Sequence, residues 1–235
     1  MPEVEKNETP RIKISVESLS DLMFGLALSI GAIFLIGNNS TDLHVVLSNI
    51  LAFGFSFVIL VTIWERYNRT MSVLRIETSL VLRLNFAMLF FVAIEPYLFN
   101  LLAAGASLNV FWLSLTPREN VGFTPELYAI DTGSIYLILG ILTYVVLREH
   151  SLKKIETLPP RLIRSFKQSM HTELTASAIF LISACPIFWT NYIPILQGIP
   201  VGVALWFLTF VASFISRIVG IVSRTNTKAS IGNLE

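Results

Sequence analysis

Residues Leu19–Gly37 read LSDLMFGLALSIGAIFLIG, a run of small and aliphatic residues with one ionisable group, Asp21, close to its start. A helix rises about 1.5 Å per residue, so some 20 apolar residues span the hydrocarbon core of a bilayer. This run is long enough to be the first such span. Five more follow by the same criterion: Val45–Trp64, Leu80–Ala104, Leu127–Leu147, Leu174–Thr190 and Val201–Val222. The fifth is the shortest and contains Pro186. The third carries Arg83, Asn85 and Glu95, and the fourth carries Asp131 near its start.

Composition points the same way. Of 235 residues, 54% are hydrophobic and only 14% charged, against about a quarter charged in soluble domains. Mean hydropathy is +0.68. These values argue against a soluble enzyme, a disordered tail or a nucleic-acid-binding module, and the net charge of +1 gives no general attraction to nucleic acid. The single cysteine, Cys185, excludes an internal disulfide and a cysteine metal cluster.

The basic residues orient the spans. Lys6, Arg11 and Lys13 precede the first, and Arg66, Arg69 and Arg75 lie between the second and third. Six more, from Arg148 to Lys167, lie between the fourth and fifth, and Arg217, Arg224 and Lys228 come at or beyond the end of the sixth. Of the 17 Lys and Arg, all but Arg83 and Arg118 therefore fall on one side, which is the positive-inside pattern. The expectation is six transmembrane helices with both termini in the cytoplasm: a tail over 1–18, a membrane domain over 19–222 and a second tail over 223–235. Residues 1–18 are too polar for a secretory signal. The outer segment 105–125, with Phe111, Trp112 and Phe123, suits the membrane interface, and Asn191–Pro200 reads as a turn or a re-entrant loop.

Chemistry-bearing residues are few. His44, His150 and His171 sit at span ends or in loops, without a pair at ligand spacing, so no haem or di-metal site is expected and no cofactor is implied. There is no phosphate-binding glycine loop and no nucleophile motif. Ionisable groups within spans are costly and invite a functional reading. Asp21 either caps the first helix or serves a site. Arg83 either snorkels to the interface or faces a pathway. Glu95, just before Pro96, either lines an outer vestibule or is buried in neutral form.

At about 100° per residue, Ser18, Asp21, Gly25, Ser29 and Ala32 fall within about 80° of one another. Leu26, Ile30 and Ile33 form a second stripe a quarter-turn away. One reading is close helix packing through small residues. The other is a pore-lining helix whose aliphatic rings constrict by dewetting and whose hydroxyls replace ion hydration.

The run Leu19-Ser20-Asp21, followed by Leu22-Met23-Phe24-Gly25-Leu26-Ala27, resembles the Phe-Ser-Asp signature that opens the first helix of the transmembrane protein 175-like potassium channels. The resemblance continues through Trp64-Glu65-Arg66-Tyr67 in the second span. It continues again in the third, from Leu84-Asn85-Phe86 through Phe90-Phe91-Val92-Ala93 to Glu95-Pro96. It covers about the first 100 residues; spans four to six match in length, spacing and topology. It implies a homotetramer of six-helix subunits in a prokaryotic plasma membrane, with potassium ions and lipid as partners and the first helix lining a central pore. On this resemblance Leu26, Ile30 and Ile33 form the constriction, Ser29 supplies the hydroxyl ring, and Ser20 and Asp21 are the pore-helix signature. A polar network behind that helix would draw on Lys13, Trp64, Arg66, Tyr67, Arg83 and Asn85, with Lys13, Arg66 or Arg83 as the partner of Asp21. Three positions depart from the pattern: Ser15 stands for an arginine, Leu19 for the phenylalanine and Tyr67 for a histidine. Two other readings stay open. One is a secondary or proton-coupled transporter using Glu95, Arg83 and Asp131; the other is a non-conducting membrane scaffold.

Overall fold

The computed structural model describes residues 5–37, 43–74, 78–105, 123–152, 158–190, 192–193, 199–202 and 204–209. Five long helices carry the fold: α1 (Glu5–Gly37), α2 (Leu43–Met71), α3 (Ser79–Gly105), α4 (Thr124–Ser151) and α5 (Pro160–Ser183). A single turn, α6 (Ile187–Thr190), follows. β1 (Tyr192–Ile193) and β2 (Ile199–Pro200) then pair antiparallel, Tyr192 with Pro200 and Ile193 with Ile199. Residues 204–209 are helical. Among the described residues the chain is thus all-helical but for this two-residue pair, which stands in the turn expected over Asn191–Pro200.

Helix boundaries follow local chemistry. α4 opens with Pro125 in its first turn, where a missing N–H costs nothing, and with Glu126 near the positive end of the helix dipole. Arg148 and His150 occupy its last turn, where cations are favoured. α5 begins at Pro160 for the same steric reason and ends at Ser183, three residues before Pro186.

α3 (over Ser79–Leu101) and α4 are long and apolar enough to cross a membrane. The expected first span is the end of a longer helix: α1 starts at Glu5, inside the segment read as a tail, and its apolar part runs over Ser18–Ile33. The expected fifth span is corrected most. It is not one helix over Leu174–Thr190, because α5 starts far earlier and the chain breaks at 184–186, where proline cannot continue the helical ladder. Of the sixth span, residues after 209 lie outside the described residues, as do the tail 223–235 and most of the outer segment 105–125.

α4 packs along α5 on one side and α3 on the other, and α1 packs on α3 and α2. The α4–α5 seam is close because glycine lies on it. A Cβ at Gly140 would fall 2.7 Å from Leu174 Cδ2, and one at Gly133 would fall 2.9 Å from Leu181 Cγ and 3.2 Å from Phe180 Cβ. Ser177 of α5 uses the approach to donate to the Gly133 carbonyl at 2.9 Å. Tyr136, Phe180 and Trp206 stack above the seam, with centroids 6.1 and 5.6 Å apart in sequence. The break after α5 is held by two indoles: Trp189 Nε1 donates to the Ser183 carbonyl and Trp206 Nε1 to its hydroxyl, each at 2.7 Å.

Gly140→Leu should destabilise the protein by about 1–3 kcal/mol through overpacking of this seam. Gly25→Ala, where an added Cβ meets nothing within 4 Å, should leave stability unchanged or raise it by up to about 1 kcal/mol through helix propensity. Thermal unfolding in detergent of the two variants compares them.

Candidate functional site

One face of α1 is fastened and the other is open. Val16, Ser20, Phe24 and Ala27 are buried, at the four- and three-residue spacing of a single helical stripe. Gly31 continues it. A Cβ there would lie 3.1 Å from the Phe53 ring of α2 and 3.9 Å from Pro96 of α3. On the opposite side Ser18, Leu22, Gly25, Leu26, Ser29 and Ile33 are exposed, with Leu22, Leu26 and Ile33 at 66%, 48% and 65%. Ile30 sits at the edge and is half-buried. The small-polar stripe and the aliphatic stripe of the sequence therefore merge into one broad face that no described helix of the chain covers. Ser29 Oγ turns back to donate to the Gly25 carbonyl at 2.8 Å, which leaves its lone pairs on that open side.

The fastening is a hydrogen-bond chain across three helices. Ser20 Oγ lies 2.8 Å from the Val16 carbonyl and 2.6 Å from the Tyr67 hydroxyl of α2. Tyr67 in turn donates to Asn85 Oδ1 of α3. All three side chains are fully buried. Asn85 Nδ2 has no partner among the described residues. Turning the amide over would let Nδ2 donate to Tyr67, so that Tyr67 donates to Ser20 and Ser20 to Val16, giving every contact its own proton. The ring of Tyr67 also packs on Phe24, centroids 5.9 Å apart. One residue along, Asp21 Oδ1 accepts from Trp64 Nε1 at 2.9 Å on the exposed edge of the α1–α2 contact.

The expected network is thus partly assembled. Ser20, Asp21, Trp64, Tyr67 and Asn85 come together. The basic partners proposed for Asp21 do not. Arg66 turns away, its Nη1 4.0 Å from Glu173 Oε1. Arg83 lies exposed near the start of α3. The side chain of Lys13 lies outside the described residues. Tyr67 can serve as the middle of this chain because a phenol can both donate and accept.

Sequence reasoning missed a second buried cluster. The Glu173 carboxylate of α5 is fully buried and accepts from Thr143 at 2.9 Å and Ser169 at 2.7 Å, with Arg66 of α2 alongside. Arg69 lies over the Phe166 ring at 5.0 Å. The signal was present in the i, i+4 pair Ser169–Glu173 on the α5 stripe Phe166, Ser169, Glu173, Ala176, Ser177 and Phe180, which is helical rather than loop-like. Deeper in the bundle, Glu95 accepts from Ser56 and Tyr128, and Asp131 is buried one turn from Tyr128. Glu95 is therefore in the core and does not line a vestibule. Arg83 sits about 18 Å from it along α3, so the triad Glu95, Arg83 and Asp131 is not assembled. Among the described residues no group of three or more His, Cys, Asp or Glu is placed to hold a metal ion.

These features define a helical protein with two helices, α3 and α4, long and apolar enough to cross a membrane, and one helix presented on an open flank. Its fold is similar to the crystal structure of the potassium channel MtTMEM175 in complex with a nanobody–MBP fusion protein. The TM-score is 0.56 at 16% identity, over 89% of this chain and 93% of that one. No protein-family model and no curated protein matches the sequence.

Tyr67→Phe should cost about 1–3 kcal/mol, because it leaves Ser20 and Asn85 buried with fewer partners. Trp64→Phe, which frees an exposed carboxylate to water, should cost less than about 1 kcal/mol. Chemical denaturation of the two variants, side by side, reads the difference.

Proposed function

We propose that the chain is the subunit of a potassium-permeable channel, with α1 lining a central pore of a homotetramer. The observation that carries the reading is the division of α1: a buried face pinned by Ser20 to α2 and α3, and an apolar open face of Leu22, Leu26, Ser29 and Ile33. The likeness in fold to a potassium channel supports it. In this reading Leu26, Ile30 and Ile33 ring the axis as constrictions, narrow enough for the pore to dewet when closed. Ser29 offers four hydroxyl oxygens to a partly dehydrated potassium ion. Ser20 and Asp21, through Tyr67, Asn85 and Trp64, set the rotation of the helix and so decide which side chains meet the ion.

The assembly we propose has six spans per subunit, both termini in the cytoplasm, and a place in a prokaryotic plasma membrane, where the basic segments would face inward. Ions, lipid and other copies of the chain are its partners. The carrier reading of Glu95, Arg83 and Asp131 has lost its arginine, and the scaffold reading predicts no flux at all.

Purified protein in planar bilayers should show unitary potassium currents far above about 10³ ions per second, the upper end of ordinary protein turnover. Leu26→Ala and Ile30→Asn should raise the leak, and Ser29→Ala should change the potassium-to-sodium ratio. Unaltered conductance and selectivity in all three, in protein that remains folded and tetrameric, would remove α1 from the conduction path. A strict monomer would remove the pore.

A further inference from the structure

Two acidic side chains in the interior of the subunit have no task in the pore just described. Glu95 of α3 and Asp131 of α4 are 0% and 3% exposed. The Glu95 carboxyl receives the Ser56 hydroxyl of α2, 3.4 and 3.2 Å from its two oxygens, and the Tyr128 hydroxyl of α4 at 3.4 Å. Tyr128, Asp131 and Thr132 share one face of α4, being three and four residues apart. On that face Asp131 Oδ2 is buried without a hydrogen-bond partner among the described residues, and the Thr132 hydroxyl is buried beside Tyr128. Asp131 acts electrostatically on both Glu95 and Tyr128, so its carboxyl belongs to the same cluster.

Among the described residues the surroundings supply no counter-charge: the titratable groups acting on one another there are Glu95 from α3 and Tyr128, Asp131 and Tyr136 from α4, and the further acidic residue Glu126 is buried on α4. α2 brings only Ser56, and residues 204–209 bring the Trp206 ring, 5.1 Å from that of Tyr128. None is basic. Two neighbouring carboxylates in such a place repel each other and lack solvent. Each offers about four lone-pair sites, and the protein fills few of them. A proton answers both deficits: it removes one charge and turns one carboxyl into a donor for an oxygen that lacks one.

We propose that Glu95 and Asp131, with Ser56, Tyr128 and Thr132, form an internal proton-binding site that joins α2, α3 and α4 within each subunit, away from the open face of α1. The proton is taken from solvent water, and no covalent bond to carbon changes. Held there, it lets α4 seat against α3. Its loss puts two like charges in the seam and loosens that contact.

Infrared spectroscopy of the purified full-length protein tests this directly, because the carbonyl stretch of a protonated carboxylic acid is separate from the carboxylate bands. Exposed carboxyls ionise near pH 4, so at about pH 7 they contribute nothing to that band. We expect wild-type protein to show it at about pH 7, E95Q and D131N each to shift or halve it, and the double variant E95Q/D131N to abolish it. S56A and Y128F, which keep both acids, should shift its frequency and cover the case in which the double variant does not fold. The proposal is overturned if the wild-type band is absent, if it survives in folded E95Q/D131N, or if neither S56A nor Y128F moves it. An absent band together with stabilisation by added calcium would reassign the cluster to a metal ion.

Discussion

The rotation of α1 about its own axis is set by one buried hydroxyl. Ser20 is the only polar side chain on the buried stripe of that helix among the described residues, and the aliphatic and aromatic side chains around it would tolerate small rotations. A hydrogen bond would not, since it weakens steeply with angle. Linking Ser20 to Tyr67 and Asn85 therefore fixes which third of α1 is turned outward, and the character of the open face follows from it. The Asp21–Trp64 contact lies on the rim of the same junction and adds direction more than energy, because it is half in water.

The rest of the chain is a frame for that helix. α4 and α5 are drawn together by absent side chains at Gly133 and Gly140, and the Ser177 hydroxyl ties the backbone across the gap. Glu173 links the other side of α5 to the end of α2, where Arg66 and Arg69 meet it and Phe166. Because Trp64, Arg66, Tyr67 and Arg69 occupy two consecutive turns, α2 couples the two junctions: one turn fastens α1 and its neighbours fasten α5. A burial of charge as complete as that of Glu173 is a costly way to gain stability, and it earns its place better as a constraint on register.

What the sequence made legible was what composition and periodicity encode. The apolar lengths over Leu80–Ala104 and Leu127–Leu147 became α3 and α4 within a few residues, and the stripe on α1 was visible as a 100° pattern. The residues of the α1 junction were readable only through a short motif. For Asp21 the resemblance left Lys13, Arg66 and Arg83 as candidate partners, yet the indole of Trp64 is the donor that reaches it, and a sequence does not show which rotamer reaches. The extent of α5 was hidden for another reason. Its first half, RLIRSFKQSMHTE, is polar on three sides and apolar on one, so a hydropathy window sees a loop where a helix packs by one narrow stripe. The close approach at Gly133 and Gly140 was not legible, since it depends on a neighbour that is remote in sequence.

Because α1 is fastened at one level and free along most of its outward flank, its side chains are indexed by counting from Ser20. Inserting a single residue between Ser20 and Leu26 would advance everything beyond it by about 100°, carrying Leu26 and Ser29 toward the neighbouring helices and bringing Leu28 round in their stead. Deleting one would turn them the opposite way. Substitutions along the open flank alter one position at a time, whereas a change in length re-deals the whole set. Lineages descending from such a chain should thus vary freely in the identity of these residues and scarcely at all in the number that separates them from the anchoring serine.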